Sequence, residues 1–201
     1  MDTELQEIID YKKKSGNDNI YYKEIIKKKL INNSKILQSI DNKKLDIEEP
    51  DSFLGVNIFP YYLLPNAQTT AQNYICFETS FTEVANYNNV MKSGQIIFYI
   101  LCDNKNIYDK KSGIARHDLL AALITDEFNW CTDFGTQMKL ISDRPYTVDN
   151  NYALRTLTFE QITPNSIIQA QTQKVINQNR WLYGNNGIWW SESLYWSWLW
   201  S

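Results

Sequence analysis

The only histidine of this 201-residue chain, His117, stands between Arg116 and Asp118. The triplet could supply a base flanked by a cation and a carboxylate, which are groups used in general acid–base catalysis. The same residue types also occur in the solvated first turn of a helix, where a carboxylate suits the helix dipole. The sequence favours this second interpretation, and a single histidine excludes a histidine-based metal cluster.

The other reactive side chains carry no signature of catalysis. Cys76, Cys102 and Cys131 are odd in number and widely spaced, which predicts reduced thiols that act as small hydrophobes. The carboxylate pairs at 126–127 and 48–49 are adjacent in sequence, and adjacent helical residues do not face each other. Seven glycines form no phosphate-binding loop or nucleophile elbow. The sequence therefore predicts no catalytic, metal-binding or cofactor-binding residue and a protein that is not an enzyme.

Charge is distributed unevenly along the chain. The formal net charge is -3, which argues against a surface built throughout to bind phosphate backbones. Residues 12–44 nevertheless carry ten lysines against three acidic residues, and lysines 27–29 are predicted to form the solvated side of a helix rather than a nucleic-acid contact. No secretory signal is visible, and the apolar run at 188–200 is too short and too polar to cross a bilayer. A cytoplasmic site of synthesis and no membrane contact are expected.

Helical spacing of apolar residues marks the first quarter of the chain. It predicts helices over residues 3–13 and 20–31 and a further short helix that begins at Ser34, a good N-cap. An acidic linker follows at 46–52. We therefore expect an N-terminal helical region over residues 1–52.

Alternating apolar residues then predict strands. A strand from about residue 73 has one buried face, and the turn-rich residues 85–94 should end a long hairpin. The returning strand 95–102 is apolar on both faces, so it must be covered on both. We expect a helix over 114–130 on one face and, on the other, the N-terminal helices or a neighbouring subunit; Tyr99 and Leu101 are thus predicted interface residues.

Two closing strands complete the predicted domain. They lie at 136–142 and 152–162, on either side of a turn-rich connection. The order of elements predicts an α+β fold over residues 53–162: a small mixed or antiparallel sheet of about four strands with a helix packed on one face.

The C-terminal extension, 163–201, is predicted to begin with a polar helix to about residue 180 and then becomes aromatic. It holds six of the seven tryptophans: Trp181, Trp189, Trp190, Trp196, Trp198 and Trp200. Glycines at 184 and 187 indicate a hairpin between two aromatic arms. The arm could thicken the core of its own subunit, stack on sugars, or form a subunit interface with Tyr183 and Tyr195; the sequence favours the interface.

Short matches along the chain carry a resemblance to a known family. They are IFPYYLLPN at 58–66, the strands YICFETSF and QIIFYILC, the helix RHDLLAALITDEFN, and the strands MKLIS and ALRTLTFE. In this order they resemble the tail terminator or tail-completion proteins of long-tailed bacteriophages, over roughly residues 20–162. The resemblance places Arg116 and Asp118 where a loop meets the helix.

The resemblance implies a virion protein of the phage tail or neck, assembled in the host cytoplasm. It would form a ring, usually a hexamer, that ends the tail tube and docks the head-completion (connector) protein, while DNA passes through the lumen without specific binding. No catalysis and no cofactor are implied. The Lys-rich N-terminal and Trp-rich C-terminal extensions depart from the family pattern, which leaves open a head-closure adaptor. Two other classes of function stay open. One is a carbohydrate- or host-binding module on the particle, which quenching of tryptophan fluorescence by glycans would favour. The other is a small cytoplasmic enzyme, which a pocket around His117 would favour.

Overall fold

Helices and strands follow one another in the order that the hydrophobic spacing predicts. The structure is a computed structural model that describes residues 3–14, 19–63, 72–83, 91–147 and 151–164, all within the first of two units, Met1–Asn165 and Ser166–Ser201. The described helices are α1 (Thr3–Lys14), α2 (Asn19–Asn32), α3 (Ser34–Ile40) and α4 (Arg116–Phe128). The described strands are β1 (Ile58–Phe59), β2 (Tyr74–Glu83), β3 (Met91–Asp103), β4 (Lys139–Thr147) and β5 (Tyr152–Pro164). Short 3₁₀ turns lie at Pro50–Phe53 and Asn104–Asn106.

The boundaries of α3 show how local chemistry sets a helix end. Its N-cap is Asn33 rather than the expected Ser34: the Asn33 side chain accepts hydrogen bonds from the backbone amides of Lys35 and Ile36, at 3.2 and 3.4 Å. Ser34 is the first helical residue. The helix ends at Asp41, whose φ of 54° lies in the left-handed region. This conformation terminates the helix and turns the chain away.

The sheet is mixed, with strand order β1-β2-β3-β5-β4. β1 pairs in parallel with β2, and the other three pairings are antiparallel. The α+β fold is therefore confirmed, with five described strands instead of about four. The additional strand, β1, has only two residues, which is too short for an alternating pattern to show.

One face of the sheet, called here the helical face, is covered by α2, α3 and α4. Alternate residues of β2, β3 and β5 join buried residues of all three helices in one apolar cluster. Ring contacts run through it, such as Phe98 with Phe128 at 4.8 Å and with Phe159 at 5.8 Å. The expected packing of the 114–130 helix on β3 is confirmed. The expectation that the N-terminal helices cover the other face is wrong, because α2 and α3 share the helical face with α4.

The opposite face is covered by the chain itself at one end only. A second cluster contains Phe59, Tyr74, Cys76, Leu101, Tyr152 and Leu154. The first four residues of β2, Tyr74–Phe77, are therefore buried on both faces, whereas one-sided burial was expected. Toward the hairpin end the opposite face holds polar and half-exposed side chains.

The hairpin of β2 and β3 is longer than predicted, because β3 begins at Met91 inside the segment expected to turn. Gly94 lies in this extension, close to two aromatic rings. A Cβ at Gly94 would lie 3.1 Å from Cε1 of Phe81 and 3.4 Å from the ring of Tyr22. The absence of a side chain lets β3 pass directly beneath these two rings.

Candidate assembly surface and its ion pairs

The first residue of α4, Arg116, is buried and contacts two other segments of the chain. It is 4% exposed. Its guanidinium donates to the carbonyl oxygens of Ser39 at 2.8 Å and Asn106 at 3.1 Å, and to Asp41 Oδ2 at 3.2 Å. Asp109 Oδ1 lies 3.5 Å from the same group. Arg116 thus fixes the end of α3 and the loop after β3 against the start of α4.

The loop that precedes α4 holds a second fixed carboxylate, Asp109. Ser112 donates to Asp109 Oδ2 through its backbone amide at 2.8 Å and its hydroxyl at 2.6 Å. These hydrogen bonds, and then the charge of Arg116, lower the pKa of the Asp109 carboxyl. Asp109 is therefore ionised at neutral pH and supplies the charge that faces Arg116.

His117 and Asp118 are brought together, but within a chain of ion pairs. His117 Nε2 lies 3.2 Å from Asp118 Oδ1. Arg155 Nη1 donates to the same oxygen at 2.5 Å and binds Asp143 through Nε and Nη2, at 2.7 and 2.8 Å. The hydrogen bonds with Asp143 raise the pKa of Arg155. The pairs join α4 to β5 and β4, which is a structural use of these charges.

The three cysteine thiols are protonated, and therefore poorly nucleophilic, at neutral pH. Burial raises the pKa of Cys102 to about 12 and that of Cys76 to about 11. Burial also raises the pKa of Cys131. Since the thiolate is the nucleophilic form, these environments agree with the expectation that the cysteines behave as small hydrophobes.

Two further features concern metal binding and membrane crossing in the described part of the chain. No group of three or more His, Cys, Asp or Glu side chains there is arranged to hold a metal ion. Of the helices in the described ranges, none combines the length and apolar content that a bilayer crossing requires.

The predicted interface residues fall into two sets. Leu101 is fully buried by its own chain, and Tyr99 is half-buried with its ring 4.6 Å from that of Tyr62. At Leu101, therefore, both faces of β3 are covered by residues of the same subunit. The Leu101 side chain has no exposed surface that a neighbouring subunit could contact. The aromatic set lies outside the described residues: Trp181, Tyr183, Trp189, Trp190, Tyr195, Trp196, Trp198 and Trp200.

A groove crosses the opposite face of the sheet at the hairpin end, and we call it the hairpin groove. As formed by the described residues it encloses about 700 Å³. Met91, Ile141 and Ile162 supply its apolar lining, and Ser93, Lys139 and Glu160 are among its polar lining residues.

A β-bulge shapes one wall of this groove. The register of β4 on β5 shifts between Leu140 and Ser142, which leaves Ile141 between them and 51% exposed. No expectation from the sequence singled out Ile141. The available signal was the pair of adjacent apolar residues, Leu140 and Ile141.

A smaller cavity lies near the end of α3. It encloses about 340 Å³, and Lys43, Lys44 and Lys105 are among its lining residues. All three lysines are exposed, so this end of the N-terminal region is basic at its surface.

The fold and the ion pairs define an α+β protein in which three helices cover one face of a mixed sheet and ion pairs join its elements. A family model described as YomW matches residues 2–161. The chain therefore belongs to the YomW family. The match includes all four described helices and nearly all of the sheet.

Other comparisons add little. No curated protein matches the sequence. A chain from a structure described as "Virion of native gene transfer agent (GTA) particle" matches with a TM-score of 0.41 and 11% identity, over 66% of this chain and 93% of that chain. A TM-score of this size does not establish a shared fold. The YomW family is phage-associated, which supports the broader part of the sequence interpretation, a phage structural protein.

Proposed function

We propose that this chain is a structural protein of a phage particle that forms a ring, ends the tail tube and joins it to the head-completion complex. Membership of the phage-associated YomW family over residues 2–161 carries the proposal. The protein acts by fitting between other proteins, without catalysis and without a cofactor. Its place is the neck of the virion, and assembly occurs in the host cytoplasm.

The order of structural elements supports this proposal. The resemblance to tail terminators rests on a leading helix, a proline turn, a long hairpin, a helix with an Arg-x-Asp start and two closing strands. The described chain contains these elements as α2, the turn at Pro60, β2–β3, α4 and β4–β5. The turn is held to α2, since Lys23 Nζ donates to the Pro60 carbonyl at 2.6 Å.

The partners follow from the proposed position. Each subunit contacts copies of itself in a ring, for which we propose six members. One side of the ring binds the last layer of tail-tube protein and the other binds the head-completion protein. The ring encloses a passage through which DNA moves without specific binding.

The decisive experiment measures the mass of the full-length protein in solution, alone and with tail-tube protein. A discrete ring mass and binding to the ends of tubes, with shorter tubes as the protein is added, are expected. A protein that stays monomeric at all concentrations and leaves tube length unchanged would refute the proposal. Binding to heads but not to tubes would instead indicate the head-closure adaptor.

A further inference from the structure

The hairpin groove has the chemistry of a site for an indole. Its lining includes Ile141 and Ile162, which are 51% and 49% exposed, and Met91. Its volume of about 700 Å³ falls within the range of sites that enclose small organic groups. Ser93 donates to Glu160 Oε1, and the other oxygen of this carboxylate accepts no hydrogen bond from a described residue. An indole would cover the apolar side chains and donate its N–H to this oxygen.

The chain itself contains a segment of matching chemistry. Residues 181–200 hold six tryptophans and a single charged residue, Glu192. A segment of this composition left in water would favour aggregation, so a protein that carries it needs a surface that covers it. The hairpin groove offers exposed apolar side chains with a hydrogen-bond acceptor beside them.

The length of chain between groove and segment allows the segment to reach another subunit. β5 ends at Pro164, two residues after Ile162 of the groove, and sixteen residues separate Pro164 from Trp181. Sixteen residues span about 24 Å as a helix or about 50 Å when extended. Either span is comparable with the size of a small domain.

A contact of this kind between copies is compatible with the proposed ring. The aromatic segment and the groove are different surfaces, so their contact between two copies is heterologous, and heterologous contacts generate a ring where the rotation between copies closes and an open filament where it does not. We propose that the hairpin groove receives tryptophan side chains from residues 181–200 of a second copy of this chain. The inference rests on the proposed ring and names the surface that would hold it together.

Photo-crosslinking of the full-length chain tests the inference directly. Ile141→benzoylphenylalanine places a photoreactive group in the groove, and Tyr146→benzoylphenylalanine places it on the same strand, also half-exposed but away from the groove. After irradiation we expect a product of twice the chain mass from the first variant, joined to residues 181–200 by mass spectrometry, and none from the second. A product of single-chain mass with the same linkage would overturn the proposal, because the segment would occupy its own groove.

Charge substitution provides the second measurement. Ile141→Lys should weaken self-association about tenfold or more, because it places an ammonium group in an apolar contact, whereas Tyr146→Lys should leave association unchanged. Both substitutions are at exposed positions, so both variants should keep the melting temperature of the parent. If the protein forms rings that lack the crosslink and tolerate Ile141→Lys, the groove inference fails while the proposed function stands. A protein that never associates refutes both.

Discussion

Arg116 and Asp41 are joined by a hydrogen-bonded ion pair of 3.2 Å, although 75 residues separate them in sequence. Asp41 lies in the left-handed conformation that ends α3, and Arg116 begins α4. The amide of Asn106 donates to the same Asp41 oxygen at 3.4 Å. The ion pair therefore joins the end of α3, the start of α4 and the loop at Asn106 at one place, called here the junction.

Removal of the Arg116 charge should destabilise the protein strongly. Arg116→Met leaves two carbonyl oxygens and Asp41 without their donor, and we expect a loss of about 3–5 kcal/mol in the free energy of unfolding. Arg144→Met, at an exposed position of β4, is the matched control and should change it by about 0.5 kcal/mol or less. Urea unfolding of both variants measures the difference. Equal, small losses would show that the junction contributes little.

Leu101→Asp should prevent folding of the single subunit. Leu101 is fully buried between Tyr74 and Leu154, its partners in register on the neighbouring strands. The variant loses apolar burial and buries a carboxylate without a partner, for a loss of about 3 kcal/mol or more. Ile97→Asp, on the same face of β3 but only partly buried, should cost less. Circular dichroism and soluble yield measure both; a folded, assembled Leu101→Asp protein would show that this face tolerates charge.

Alkaline pH should weaken the fold through its buried thiols. The pKa values of Cys76 and Cys102 are raised by burial to about 11 and about 12, above the ordinary thiol value near 8.5. Because the unfolded thiols lose their protons first, stability is full below about pH 8.5 and falls as pH rises toward 11–12. We expect the Cys76→Val, Cys102→Val double variant to lose less stability than the parent between pH 8 and pH 10, measured by urea unfolding. If the free energy of unfolding fell equally with pH in the parent and the double variant, Cys76 and Cys102 would not be the cause of the loss.

The assembled protein should bind DNA weakly. A passage that held phosphates through many lysines would slow the exit of DNA, so we expect the acidic or neutral part of the chain to line the lumen and the Lys12–Lys44 region to face outward. Fluorescence anisotropy with duplex DNA should give a Kd above about 1 µM at physiological salt. A control with Lys43→Glu and Lys44→Glu should leave this value unchanged. Tight binding with a steep salt dependence would count against the outward orientation.

Truncation after Arg180 separates the roles of the aromatic segment. If residues 181–200 hold subunits together, the truncated chain should be a folded monomer with the melting temperature of the parent subunit. If the segment thickens its own core, the melting temperature should fall whatever the assembly state. Sedimentation and thermal unfolding of the same samples distinguish these outcomes. A truncated chain that still forms rings and joins heads to tails would exclude the assembly role.

Much of the fold follows from local patterns. Apolar spacing predicts α1, α2 and α4 to within a few residues. In α2 and α4 the apolar residues are buried in the core, whereas Leu5 and Ile8 of α1 are exposed. Alternation predicts β2 and β5, and a short run that is apolar on both faces predicts β3. Asn33 and Ser34 are both good caps, and the sequence alone does not decide between neighbours of equal propensity.

The features that local sequence patterns do not predict depend on contacts between residues far apart in the sequence. The hydrogen-bond acceptors of the Arg116 guanidinium lie 10 to 77 positions away in the sequence, so its burial has no local signal. β1 exists because two residues pair with Ile75 and Cys76 of β2, and a two-residue strand has no period. The hairpin groove depends on the bulge at Ile141, on the end of β5 and on the length of the hairpin together.

The contact between Tyr22 and Gln161 constrains how the protein can be synthesised. The Gln161 amide donates to the Tyr22 hydroxyl, and both groups share the Phe134 carbonyl as a partner, across 139 residues of sequence. At roughly 5–20 residues per second, a ribosome needs about 7–28 s to add that length of chain. Throughout this interval the apolar side of α2 lacks the last strand of its core. The apolar side of the newly made α2 therefore stays uncovered by β5 until that strand emerges, and the aromatic segment leaves the ribosome only after the strands that complete the core.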